Sequence, residues 1–186
     1  MKNNYVLIIY GCDYGEDGRG LGKESKARIR KAISFIERQQ TPPTAIVLAA
    51  GFPPQKSFKP LSHYMKRRLE NYFLKKAVDS ALFNIPNIIC AEKNYWGSFE
   101  ETEFVHQIAE CYDVQHVVAV SSWYHMYRIA LIFNLIDTKG KNLLLVSSWK
   151  IRHWWSPFLE PLKILKVFRD YFSKNIREKK VISSSS

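Results

Sequence analysis

Sulfur is scarce in this sequence, and what there is does not pair. The three cysteines, at positions 12, 90 and 111, form no CxxC and no even set, so a disulfide framework is not what holds the chain together. Apolar runs are short as well. None reaches the ~18 residues a membrane helix needs, and the run from Tyr5 to Tyr10 stops at once at Gly11 and charged residues, unlike a signal peptide. The expectation is a cytoplasmic protein with reduced thiols. Acidic residues are outnumbered, 17 against 28 Lys and Arg, for a formal net charge of +11. Such a balance invites nucleic acid, anionic lipid or a phosphorylated small molecule. No zinc finger, RNP-type strand or recognition helix stands behind the first of these, so nucleic acid rests on charge alone.

Several chemical signatures are missing too. Gly22-Lys23 is followed by Glu24, which breaks a P-loop, and Gly18-Arg-Gly-Leu-Gly22 has the wrong spacing for a dinucleotide fingerprint. His63, His106, His116 and His153 show no metal-ligand spacing with one another or with the cysteines, so no metal is expected. There is no GxSxG elbow. The sequence names no cofactor.

What remains is an ordinary globular composition, 46% hydrophobic and 24% charged over 186 residues. That suits one domain, 1–180, with a disordered serine tail over 181–186. Five continuous apolar runs, at 5–10, 44–49, 87–91, 115–121 and 142–147, alternate with five helical patterns. Runs without polar alternation are how strands buried on both faces of a parallel sheet read. The expected fold class is α/β: a three-layer Rossmann-like fold with a five-stranded parallel sheet in the order 3-2-1-4-5, since a long loop after strand one suits a switch point beside it. The last helix is expected to turn Leu162, Leu165, Phe168 and Phe172 inward. A single domain buries most of its Trp surface, so Trp149, Trp154, Trp155 and Phe158 are expected to pack as core.

Ligands in such sheets bind beyond the carboxyl ends of the strands, so the residues that follow each strand are the candidates. Strand one leads into Gly11, Asp13 and a segment with five of the eight glycines between 11 and 22, which suits close approach to a ligand, a mobile lid or a flexible surface excursion. Asp13 could serve a metal or a ribose hydroxyl. Gly51 follows strand two. Glu92 ends strand three, and Ser98, Glu100 and Glu101 open the next helix, with Ser98 and Glu101 spaced as a capping box. Strand four ends at Ser121-Ser122, where a helix N-terminus offers N–H groups to an anion. His125 lies in its first turn and Arg128 one turn on. An isolated histidine there is ordinarily structural; the arginine beside it is what points to a phosphate or carboxylate.

The stretch Ser121-Ser122-Trp-Tyr-His125-Met126-Tyr-Arg128-Ile-Ala130 resembles the signature of the YdcF-like family of ElyC- and SanA-type domains, in which strand four ends in Thr-Ser before His-Met and an Arg-Ala pair. Further matches fall in order: Gly11, Arg28 with Ala32, Gly51, Met65, then Glu92 followed by Ser98 and Glu100, and Glu160. Gly97 and Glu101 stand where the family has asparagines, and Gly51-Phe-Pro-Pro replaces its usual Gly-Gly. The resemblance spans nearly the whole domain and implies a Rossmann-like domain linked to bacterial envelope metabolism. On this reading His125 and Glu100 are the catalytic candidates, with Gly11, Asp13, Arg28, Gly51, Glu92, Ser98, Ser121, Ser122 and Arg128 around an anionic, phosphorylated or nucleotide-like small-molecule ligand. The alternative is a non-catalytic basic module that meets an anionic membrane surface or a protein partner through the Trp-rich stretch and the last helix.

Overall fold

The computed structural model describes residues 4–15, 20–39, 41–50, 59–79, 85–90, 98–136, 140–150 and 155–184. Five strands, β1 (Tyr5–Tyr10), β2 (Ala45–Ala49), β3 (Asn87–Cys90), β4 (His116–Ser122) and β5 (Asn142–Ser148), form one sheet in the order β3-β2-β1-β4-β5. All four pairings are parallel. The helices are α1 (Lys23–Arg38), α2 (Leu61–Asp79), α3 (Ser98–Cys111), α4 (Met126–Leu135) and α5 (Glu160–Ser184).

The layers follow from strand alternation. Leu7, Ile9, Ile46, Leu48, Val118 and Val120 point to one face, where Ile29, Ala32 and Ile36 of α1 and Met65, Leu69 and Phe73 of α2 cover them. Val6, Ile8, Ala45, Val47, Val117 and Ala119 point to the other, under Val105 and Ala109 of α3 and Ile129 and Phe133 of α4. β1, β2 and β4 are buried on both faces from Tyr5, Ala45 and Val117 onward. β5, at the edge, keeps Leu144 and Leu145 exposed.

The order in which strands are laid down reverses at β1 and β4, while every strand keeps the same direction. From β1 the strands run outward through β2 to β3, and from β4 outward to β5. The loops after β1 and β4 therefore diverge to opposite faces of the sheet, which in this class marks a crevice at the carboxyl ends as the usual ligand position.

Two expectations fail. The helix expected from Ser122 starts later, since β4 runs through Ser122 and a 3-10 turn, Trp123–His125, precedes α4. α5 is helical through Ser184, with no glycine or proline between 162 and 184 to supply a stop. It presents the opposite face to the one expected. Val167, buried, joins Phe99 and Ile132 with Tyr171 alongside, whereas Leu162, Leu165, Phe168 and Phe172 are exposed, as are Trp149, Trp155 and Phe158. Trp154 lies outside the described residues.

Candidate functional site

The crevice is built on a buried charge pair. Glu24, in the first turn of α1, is fully buried and pairs with Arg28 one turn on, Nη2 to Oε1 at 2.8 Å. The same Oε1 accepts the Tyr124 hydroxyl at 2.7 Å and the Ser122 hydroxyl. Arg28 donates through Nη1 to the carbonyls of Tyr10 (2.8 Å) and Gly11 (3.1 Å), and through Nε and Nη2 to Ser122 Oγ. Arg28 and Ser122, both expected to meet a ligand, are thus spent on the protein. They tie the ends of β1 and β4 to α1 and form the crevice floor.

Asp13 also faces inward. Its Oδ1 accepts the Ser25 N–H at 2.7 Å and Oδ2 the Glu24 N–H at 3.3 Å, which caps α1 from outside the helix. Ser25 Oγ returns the contact, accepting from the backbone N–H groups of Cys12 and Asp13 and donating to the Asp13 carbonyl. Gly22 makes the cap fit, because a Cβ there would lie 2.1 Å from Asp13 Oδ2. Tyr14 bridges Leu21, so the described parts of the 11–22 segment are pinned at their base. Gly11 is needed for close approach, since its added Cβ would stand 2.7 Å from that of Ala50. Cys12, although exposed as a residue, has its thiol pushed up to about 11, chiefly by burial, and is no thiolate nucleophile at neutral pH.

Above this floor stand the groups that handle protons and charge. His125 is buried, its Nδ1 2.9 Å from Ser121 Oγ and its ring edge-on to Tyr10 at 5.7 Å. Burial first, then Arg128, Arg28 and Lys163, hold its pKa well below the ordinary value, so the imidazole is neutral. It serves as hydrogen-bond donor or acceptor and not as a cation. Tyr10 ties the crevice to α3 through Thr102, hydroxyl to hydroxyl at 3.2 Å. On α3 the carboxylate roles are exchanged: Glu100 is exposed and Glu101 half-buried. Burial pushes Glu101 up to about 7, with Arg128 and Arg28 pulling it down and Glu100 raising it.

Arg128 is the second cation. Its Nε lies 3.4 Å from Glu160 Oε2, an ion-pair distance, and neither atom has a hydrogen-bond partner among the described residues. Burial lowers its pKa from the ordinary arginine value, and Glu160 and Glu101 raise it back. Glu160 also accepts Lys163 Nζ at 2.9 Å. No family model, curated protein or solved structure matches the chain, so the geometry stands on its own.

The structure thus gathers Gly11, Asp13, Arg28, Ser121, Ser122, His125 and Arg128 at one end of the sheet. It leaves Glu100 outside, and Gly51, Glu92 and the Ser98 side chain lie outside the described residues. Sequence reasoning missed Glu24 and Tyr124 and gave Glu101 only a capping role. Glu24 had a readable signal, since Glu24 and Arg28 are spaced i, i+4; Tyr124 had none. Among the described residues no three His, Cys, Asp or Glu side chains are grouped to hold a metal. A groove of about 780 Å³ opens elsewhere, between α2 and α3 along β3, lined by Lys66, Arg67, Cys90 and Gln107 among others, and holds none of the expected site residues.

Proposed function

We propose that this is a YdcF-like α/β domain that binds an anionic, phosphorylated or nucleotide-like ligand in the crevice between β1 and β4. The observation that carries the reading is Arg128: a largely buried guanidinium at the carboxyl end of the sheet, in ion-pair contact with Glu160 yet without a hydrogen bond from its Nε among the described residues. A phosphate oxygen that displaces Glu160 from the guanidinium would supply that bond, and Arg is suited to bidentate contact with such an anion. Neutral His125 and Glu101, poised near neutrality, stand ready to donate or accept a proton. Membership of the YdcF-like family and a role in envelope chemistry rest on the motif resemblance around His125 and Arg128.

A thermal-shift screen with inorganic phosphate, nucleotides and sugar phosphates tests the reading, followed by calorimetry on the best ligand. Saturating ligand should raise the midpoint by mass action. Arg128→Ala should weaken binding about ten-fold or more, as loss of one charge-assisted hydrogen bond of ~1.5–3 kcal/mol requires. His125→Ala should weaken it by a factor that does not grow toward low pH, because the imidazole is neutral in the folded protein. Unchanged affinity in both variants would remove the two residues from the site and leave them purely structural.

A further inference from the structure

α5 is amphipathic twice over. Ile164, Val167 and Tyr171 turn toward the body of the protein, Val167 and Tyr171 meeting Phe99 of α3 and Ile132 of α4. On the far side Leu162, Leu165, Phe168 and Phe172 repeat at intervals of three and four, which sets them on one face. Their exposures are 64%, 64%, 36% and 58%. Trp149, 76% exposed, stacks on Trp123 of the turn that carries His125, and Glu160 in the first turn of α5 reaches Arg128. The apolar face therefore begins beside the crevice.

Charge identifies what covers it. Residues 141–186 hold ten Lys and Arg against three Asp and Glu, a net of +7, whereas the other 140 residues net only +4. Arg169 lies on the apolar face itself, with Lys166 along its border. A second copy would bring +7 against +7. Exposed Leu, Phe and Trp bordered by Lys and Arg match a helix lying in the headgroup plane of an anionic bilayer, its apolar side sunk to the acyl boundary. No described helix is long and apolar enough to cross a membrane, so contact is lateral.

We infer that the outer face of α5, with Trp149, docks the protein on an anionic phospholipid surface and sets the mouth of the crevice at headgroup level. The test is sedimentation of the full chain with phosphatidylcholine vesicles, with and without about 30% phosphatidylserine. The chain should pellet with the phosphatidylserine vesicles only, and less at high salt. Leu165→Asp and Phe172→Asp change exposed positions and should abolish pelleting without lowering the melting temperature. Lys166→Gln with Arg169→Gln should weaken it about thirty-fold. Equal affinity for both vesicle types, no pelleting with either, or pelleting that survives Leu165→Asp would each overturn the inference. So would a dimer in light scattering that Leu165→Asp dissolves, since a second copy would then cover the face.

Discussion

Glu24 and Arg28 place opposite charges where water cannot reach them, and the surrounding hydrogen bonds make that tolerable. Glu24 gathers Arg28, Ser122 and Tyr124 on one oxygen, and Arg28 closes two carbonyls at the end of β1. Removing one partner strands the other. Arg28→Met should cost about 3–5 kcal/mol, because a buried carboxylate loses its counter-charge. Adding Glu24→Gln should recover part of that loss, which urea denaturation of both variants would show; equal instability of single and double variants would mean that packing, not charge, is what Arg28 supplies. Gly22 is constrained differently. A methyl group there collides with the Asp13 carboxylate and with the Tyr14 carbonyl at 2.6 Å. Gly22→Ala should therefore cost at least the ~1 kcal/mol of a lost cap, read as a fall of several degrees in melting temperature. Asp13→Ala in the same background should add little, because the cap is already gone. Asp13 caps a helix that begins ten residues after it, and that is why it read as a ligand contact: a cap supplied across a loop leaves no local pattern.

At the scale of elements, the end of α3 shows how the parts are joined. The Val114 N–H reaches the Ala109 carbonyl at 3.2 Å and the Asp113 N–H that of Glu110 at 2.9 Å, with Asp113 at φ +47°. This is a Schellman ending, which favours glycine at the left-handed residue. Lys141, just before β5, adds a hydrogen bond from Nζ to the Val114 carbonyl at 2.8 Å. Asp113→Gly should stabilise the protein by about 1 kcal/mol, since it relieves the left-handed strain and removes an anion from the negative end of a helix. A denaturation midpoint that falls instead would show that the extra freedom of glycine in the unfolded chain outweighs both. Strands were legible in the sequence as uninterrupted apolar runs, and helices wherever one side is apolar and the other polar. All five strands lie where uninterrupted apolar runs placed them, to within a residue or so, and the order 3-2-1-4-5 followed from the long first loop. α5 was misread because both its faces are apolar, and periodicity finds a stripe without saying what it faces. Glu100 and Glu101 are adjacent in sequence and 100° apart on the helix, so the choice between them waited for the direction in which α3 packs.

For the molecule as a whole, pH is where the site should declare itself, and its two titrating groups pull in opposite directions. Glu101 has its folded pKa raised to about 7 from 4.5. Its contribution to stability is fully present below 4.5 and is lost as pH rises toward 7, because the unfolded chain gives up the proton first. His125 has its folded pKa held well below 6.5, so its contribution is present above 6.5 and is lost as pH falls below it, when the unfolded chain gains a proton the folded one refuses. Between about 4.5 and 6.5 the two slopes oppose each other, and the native protein should show a shallow profile. Single variants should unmask each slope. Glu101→Gln leaves the histidine alone, so stability should fall as pH drops from 7 to 5, and at pH 7.5 the variant should exceed the native protein. His125→Gln leaves the carboxyl alone, so stability should rise over the same interval. Denaturant midpoints at half-unit pH steps would decide it. Parallel profiles for the two variants would mean that Glu101 and His125 do not titrate as the crevice geometry requires.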